Sequence, residues 1–375
     1  MNILGGESDF FGLDIGTTAI RVVELKNTGG VQSLVRYAFL PIDNKLTTSD
    51  SDADMGKVAQ AIKELVAQAK ITTKNVAVGI PAQRVFTTAV DIERLSTDEL
   101  AKTIRFQADS LIPTPLAESK MDWALLGDSP IDKTKVEILL SSVSNSYVEK
   151  RLDMLVTIGL NVVAFEPDSL ALVRAVMPVD AKDARMVIDI GNKSTDLVIT
   201  INGAPRLTRS ITTGTGAIIK SAMQNLNIDE AQAQQFVFKF GLSKEKLEGQ
   251  IMQSISGTIE ILVSEIEKSI KFFQTRYNGV KIEQLIVTGG ASVIPEFPLF
   301  LANKFGLNVE IGNSWRNVAF PRERQNELLA LSNQFSVAVG LAERTQWSNS
   351  TFYLTLKWNT SKPSASSVWW WLYLY

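Results

Sequence analysis

The strongest constraint on this chain is a pattern that occurs twice. Residues 11–25 read as two β-rich runs around a Gly16-Thr17-Thr18 corner, and residues 186–199 read as two such runs around Gly191-Asn192-Lys193-Ser194. Asp14 and Asp189 fall in register, as do Gly16 and Gly191, each pair 175 positions apart. Apolar, β-branched runs on either side of a Gly-containing corner predict hairpins. Glycine lets the backbone come close to a ligand where a side chain would stand in the way. Thr17, Thr18 and Ser194 add hydroxyls and backbone N–H groups suited to an anion, with Asn192 and Lys193 beside them. An Asp leading into each corner can face a hydrated Mg²⁺. One repeat at this distance points to two related half-molecules and not to a solenoid. Two such hairpins face to face would clamp a metal–polyphosphate.

Composition narrows the chemistry. A chain of 375 residues suits two lobes or more. It has no cysteine and no histidine, which excludes disulfides, thiolate metal sites and any His-based triad or acid–base pair. Carboxylates, hydroxyls, Lys, backbone amides and a bound metal remain. The net charge of −2 gives no global field for nucleic acid or an anionic membrane. The first nine residues lack the basic and apolar regions of a signal peptide, and no run of about 18 apolar residues occurs. A cytoplasmic protein is expected.

In chain order, the first hairpin is followed by a strand at 31–39, a polar surface loop at 43–54 and an amphipathic helix at 56–70 with Val58, Ile62, Leu65 and Val66 on one face. A short strand at 76–81 completes a βββαβ unit. Residues 85–165 then read as an α/β insertion. Its first helix starts at Ser96 with Glu99 three residues on, and ends at Ile112-Pro113. Strands at 121–127 and 136–143, a helix at 147–158 and a strand at 161–165 follow. Glu166-Pro167-Asp168 opens another helix. The second half begins at Arg185. After its hairpin, Thr212-Thr213-Gly214-Thr215-Gly216 opens a helix whose N-terminal amides suit anions or hydroxyls. Residues 229–249 read as a helical pair with a solvated charged face. The helix at 256–277 carries an apolar stripe with Glu265 and Lys268 one turn apart. A strand at 284–287 runs into Thr288-Gly289-Gly290-Ala291, and a small-residue helix begins at Ser336.

The paired hairpins resemble the two phosphate motifs of the actin, heat-shock-chaperone and sugar-kinase superfamily, and residues 285–292 resemble its adenosine motif. Within the insertion, Ile104-Arg105-Phe106-Gln107-Ala108, Ile112-Pro113, Asp122-Trp123 and the later Gly159-Leu160 resemble the PilM family, the cytoplasmic actin-like proteins of the type IV pilus assembly platform. They are similar, more loosely, to the cell-division protein FtsA. The resemblance runs from about residue 11 to 344.

That resemblance implies an α/β, actin-like (ribonuclease-H-like) two-lobed ATPase fold with an insertion subdomain in the first lobe. The expected division is 1–84 for the first lobe core, 85–165 for the insertion, 166–184 for the interlobe helix and 185–335 for the second lobe, with a small subdomain at about 220–255. A return helix at 336–344 and an aromatic tail at 345–375, holding five of the seven Trp residues, complete it. The tail is expected to be disordered and dispensable for folding. The resemblance further implies ATP with Mg²⁺, at most slowly hydrolysed. Phosphates would meet Gly16, Thr17, Thr18, Gly191, Asn192, Lys193 and Ser194, and Asp14 and Asp189 would hold Mg²⁺ mainly through water. Glu166 would align an attacking water. Gly214 and Gly216 would approach ribose or phosphate, Glu265 and Lys268 the nucleoside, and Gly289, Gly290 and Ala291 the adenine. The implied partner is the cytoplasmic tail of a PilN-like inner-membrane protein, docked in a groove beside the insertion. Other platform proteins or copies of the chain are further partners. No nucleic acid is expected, and membrane contact only through partners. An FtsA-like division protein and a small-molecule or sugar kinase remain alternatives.

Overall fold

The computed structural model describes residues 9–344; the expectations for the tail lie outside them. The first lobe opens with β1 (Phe11–Ile15) and β2 (Ala19–Thr28), antiparallel with Ile15 opposite Ile20. The Gly16 N–H closes the turn by donating to the Ala19 carbonyl at 3.1 Å. Next comes β3 (Val31–Pro41). The stretch expected as a loop instead holds a helical turn, Asn44–Thr47, capped by Asp43. The helix Asp52–Gln68 starts earlier than expected because Ser51 accepts from the Asp54 N–H, and Asp52 and Asp54 favour the positive end of the helix dipole. It buries Val58, Ile62 and Leu65 against the sheet, each worth about 2 kcal/mol of transfer from water. Then β4 (Asn75–Ile80) lies parallel to β1.

The insertion is a separate antiparallel sheet of β5 (Val85–Glu93), β6 (Ser119–Asp128) and β7 (Lys135–Ser144), in the order β5-β7-β6. The helix Thr97–Leu111 covers it with Leu100, Ile104 and Ala108. It begins at the expected capping box, where Glu99 accepts from the Ser96 N–H at 3.0 Å.

As a packing unit the insertion stops at Ser144, short of the expected 165. The helix Asn145–Thr157 buries Val148, Leu152 and Leu155 in the first-lobe core, and β8 (Asn161–Pro167) pairs with β4. Val162, Ala164 and Phe165 are buried there, so β8 closes an edge that β4 would otherwise leave open. The interlobe helix is Asp168–Val176, shorter than the expected 166–184. Glu166 and Pro167 belong to the strand, and Met177, which precedes a proline, is extended and ends the helix.

The second lobe is a five-stranded sheet in the order β11-β10-β9-β12-β13, made of β9 (Ala184–Ile190), β10 (Thr195–Ile201), β11 (Ala204–Ile211), β12 (Ile282–Gly289) and β13 (Asn308–Ile311). The helices Thr215–Leu226, Glu230–Phe240 and Gln250–Arg276 share its core. The predicted stripe is buried at Ile259, Leu262, Ile266 and Phe273.

The chain returns to the first lobe before residue 335. β14 (Val318–Ala319) pairs with β3. Trp315 is buried beside Tyr37 and Phe335, and its indole N–H donates to the Leu328 carbonyl at 2.9 Å. The return helix Ser336–Ala342 then crosses Asp168–Val176 so closely that a Cβ on Gly340 would collide with the Ala171 carbonyl. The small residues read from the sequence therefore serve the close interlobe crossing.

Candidate functional site

A cleft of about 640 Å³ separates the lobes, and both hairpin corners line it. Asp14, Gly16, Thr17 and Thr18 stand on one side; Asp189, Gly191, Asn192 and Ser194 stand on the other. The second turn repeats the first at atomic level. Gly191 N–H donates to the Ser194 carbonyl at 2.9 Å, as Gly16 does to Ala19, and Ile190 pairs with Thr195 as Ile15 does with Ile20.

The cleft gathers acid. Asp14, Asp168, Asp189 and Asp196 all line it. Burial pushes the Asp189 carboxyl up to about 7, helped by the charges of Asp196 and Asp14. Burial lifts Asp196 to about 6, against a stabilising hydrogen bond from Ser210. Asp168 is raised well above the usual carboxylate range by burial and then by the charges of Asp14, Asp196 and Asp189. Asp14 is also raised by burial, with Arg21 pulling it back from 3.3 Å. Such shifts mark a site that would favour a cation. Among the described residues, no three acidic side chains are arranged to ligate one ion directly. Water-mediated holding is the arrangement Mg²⁺ prefers.

The remaining expected residues divide. Gly216, Gly289 and Gly290 line the cleft. Gly289 has φ +79°, and a Cβ there would collide with Asp189 Oδ1. Its carbonyl accepts from Asn333 Nδ2 at 3.1 Å, and Asn333 also lines the cleft. Gly214 does not line it. The helix opening at Thr215 is no free anion site, because the Thr215 and Gly216 N–H groups donate to the Gly191 and Asn192 carbonyls at 2.9 Å each. Those bonds brace the second hairpin. Ala291 is buried in the second-lobe core. Lys193 does not line the cleft; its ammonium donates to Thr48 Oγ1 of the opposite lobe at 3.4 Å.

Two expected roles fail on geometry. Glu166 is buried, off the cleft, with its carboxylate held by Arg174 and by Arg344 at 3.7 Å. As a strand residue it faces the interlobe ion pairs, whereas Asp168, the first helical residue, reaches the cleft. Its Oδ1 is buried with no hydrogen bond among the described residues. Glu265 and Lys268 lie off the cleft. Glu265 accepts from Arg209 at 2.8 Å and from Lys268 at 2.6 Å. The helix that lines the cleft is Glu230–Phe240, through Glu230, Gln234 and Phe238, in the stretch read as a solvated face. Spacing of i, i+4, i+8 was the available signal.

With this geometry in place, comparison with known proteins decides the family. The family model described as type IV pilus assembly protein PilM matches residues 12–346. The chain belongs to the PilM family. A solved PilM–PilN type IV pilus biogenesis complex is similar at 24% identity, covering 89% of this chain and 97% of that one, with a TM-score of 0.77. The ethanolamine utilization protein EutJ from Carboxydothermus hydrogenoformans is similar at 16% identity over 91% of each chain, TM-score 0.55. MreB5 of Spiroplasma citri bound to ADP is similar at 13% identity over 88% of this chain and 94% of that one, TM-score 0.50. The fold is actin-like, as the sequence implied, and the family places the chain in type IV pilus assembly. Among the described residues, no helix is long and apolar enough to cross a membrane.

Proposed function

We propose that the cleft binds ATP with Mg²⁺, and that the chain is a nucleotide-dependent cytoplasmic scaffold of the pilus assembly platform holding the cytoplasmic tail of a PilN-like inner-membrane protein. The observation that carries the nucleotide reading is the pair of matching corners across one cleft, each led by an Asp with a raised proton affinity. A cation would replace those protons. Asp14, Asp189, Asp196 and Asp168 would surround it, mainly through water. When bound, Mg²⁺ would neutralise phosphate charge. The amides and hydroxyls of the two corners would receive the phosphates, with Arg21 adding a guanidinium. Asp168, in place of Glu166, is the carboxylate positioned to orient water. Gln234, Glu230 and Phe238 would meet the nucleoside on the second-lobe side, with Gly289 and Gly290 giving a flat backbone surface. An ADP-bound MreB5 shares the fold and supports the choice of ligand class.

Calorimetric titration tests this. Mg-ATP should bind, and Asp14→Ala should weaken Mg-ATP far more than Mg-free adenosine. Equal binding of Mg-ATP by variant and parent would remove the clamp.

For the partner, the similar complex contains PilN, and the insertion lies away from the hairpins. Among the described residues β6 pairs only with β7. Strand addition there would capture an extended peptide by main-chain hydrogen bonds. Deleting 85–165 is no clean test, because it would remove β8 from the six-stranded sheet. A synthetic tail peptide and its alternately N-methylated form discriminate instead. Retained affinity after N-methylation would rule out strand addition.

A further inference from the structure

The insertion interrupts the first lobe in the chain, yet its buried charges are satisfied by the second. Asp91 on β5 and Glu137 on β7 are cross-strand neighbours. Glu137 is only 1% exposed. It accepts from Arg276 Nη2 at 2.7 Å, from Arg276 Nε at 3.0 Å and from the Tyr277 hydroxyl at 2.6 Å. Arg276 also pairs with Asp91 at 2.9 Å. Arg206 on β11 lies 3.4 Å from Glu137 and donates to the Leu126 carbonyl of β6 at 3.0 Å. All three second-lobe partners thus converge on one sheet of the insertion.

The contact beside this cluster is not filled. A cavity of about 270 Å³ lies between β5 and β11, with Phe86, Leu139, Phe272 and Phe273 among its walls. A small apolar group, Ala124, Leu126 and Leu139 with Leu170 of the interlobe helix and Ala204, lies in the same region. A directional polar cluster beside an open pocket holds one geometry and gives little to any other. Parting the two bodies would give up all of the Glu137 contacts at once.

We propose that the Glu137–Arg276–Tyr277–Arg206–Asp91 cluster is a clasp that makes the insertion travel with the second lobe, so that a change in cleft width moves the insertion relative to the first-lobe core. The clasp itself needs no ligand; its link to nucleotide rests on the function proposed above.

The natural lack of cysteine allows paired spin labels in the full chain. Lys102→Cys with Asn303→Cys reports insertion against second lobe, and Lys63→Cys with Asn303→Cys reports first lobe against second. All three positions are exposed. The 102–303 distance distribution should be single and narrow, and Glu137→Gln should broaden it. Asp91→Asn, which leaves the Glu137 core in place, should broaden it less and serves if the first variant fails to fold. With Mg-ATP the 63–303 distance should shift while 102–303 holds. A 102–303 distribution unchanged by the folded variants overturns the clasp, as does a 102–303 shift with Mg-ATP equal to that of 63–303. A failure of Mg-ATP to move 63–303 counts against the nucleotide reading, while the variant arm still judges the clasp.

Discussion

At the first hairpin, Asp14 lies across the strand pair from Arg21; at the second, the position opposite Asp189 is Asp196. The turns close with the same hydrogen bond and the same strand register. One carboxylate has its counter-charge built in, whereas the other faces a second acid and is pushed up to about 7. A repeated backbone therefore fixes where ligand groups go, while one cross-strand residue in each copy decides what charge each half brings. The second hairpin has more to gain from a cation than the first.

The largest test of that asymmetry removes each Asp in turn. Asp189→Ala should weaken Mg-ATP by about a hundredfold, or roughly 3 kcal/mol, and Asp14→Ala by only about tenfold, measured by calorimetry. Adenosine should be nearly unaffected.

Acidity should separate the states next. Asp189, Asp196 and Glu343, raised to about 7, 6 and 8, hold protons in the folded chain at pH values where the unfolded chain has lost them. Their contribution is therefore complete below about pH 4 and is lost as pH climbs towards 8. In EDTA, the thermal midpoint should fall by several degrees between pH 5 and 8, once other titrations are matched by an Asp189→Asn/Asp196→Asn control. Mg-ATP should flatten that fall, because a cation favours the ionised carboxylates. A parent and control with identical pH profiles would show that these acids are not strained.

A smaller effect concerns Asp196 alone. Asp196→Asn removes the like charge opposite Asp189 and should stabilise the ligand-free chain at pH 8 by about 1 kcal/mol, read as a higher midpoint. The smallest concern groups off the cleft. Lys193→Ala loses one exposed bond across the lobes and should cost about 0.5 kcal/mol or less in Mg-ATP binding. Glu265→Ala should leave nucleotide affinity unchanged within about twofold, since its partners are Arg209 and Lys268.

The hairpins were legible because register, Asp and Gly recur together within short stretches. So was the Ser96 cap, which depends on residues three apart. Arg21 and Asp196 were within reach too, since closing each turn at Gly16 or Gly191 puts them opposite the Asp. What local reading could not decide was the direction of a side chain at a junction. Glu166 and Asp168 are two residues apart, but β8 ends between them, and the change from strand to helix sends one to the interlobe ion pairs and the other to the cleft. The same limit applied to Glu265, whose carboxylate meets Arg209 of β11 and not the cleft. The return of Val318–Ala319 to β3 is a two-residue pairing with no periodicity to announce it.

The crossing at Gly340 and Ala171 sets how this protein can change shape. Elsewhere between the lobes, long side chains can yield by changing rotamer. Here two main chains meet with no side chain between them. Such a contact has nothing to compress, and would act as a fulcrum for any change in the angle between the two helices. A small twist of either helix is turned into a swing at the far rim of the lobes, where displacement grows with distance from the contact.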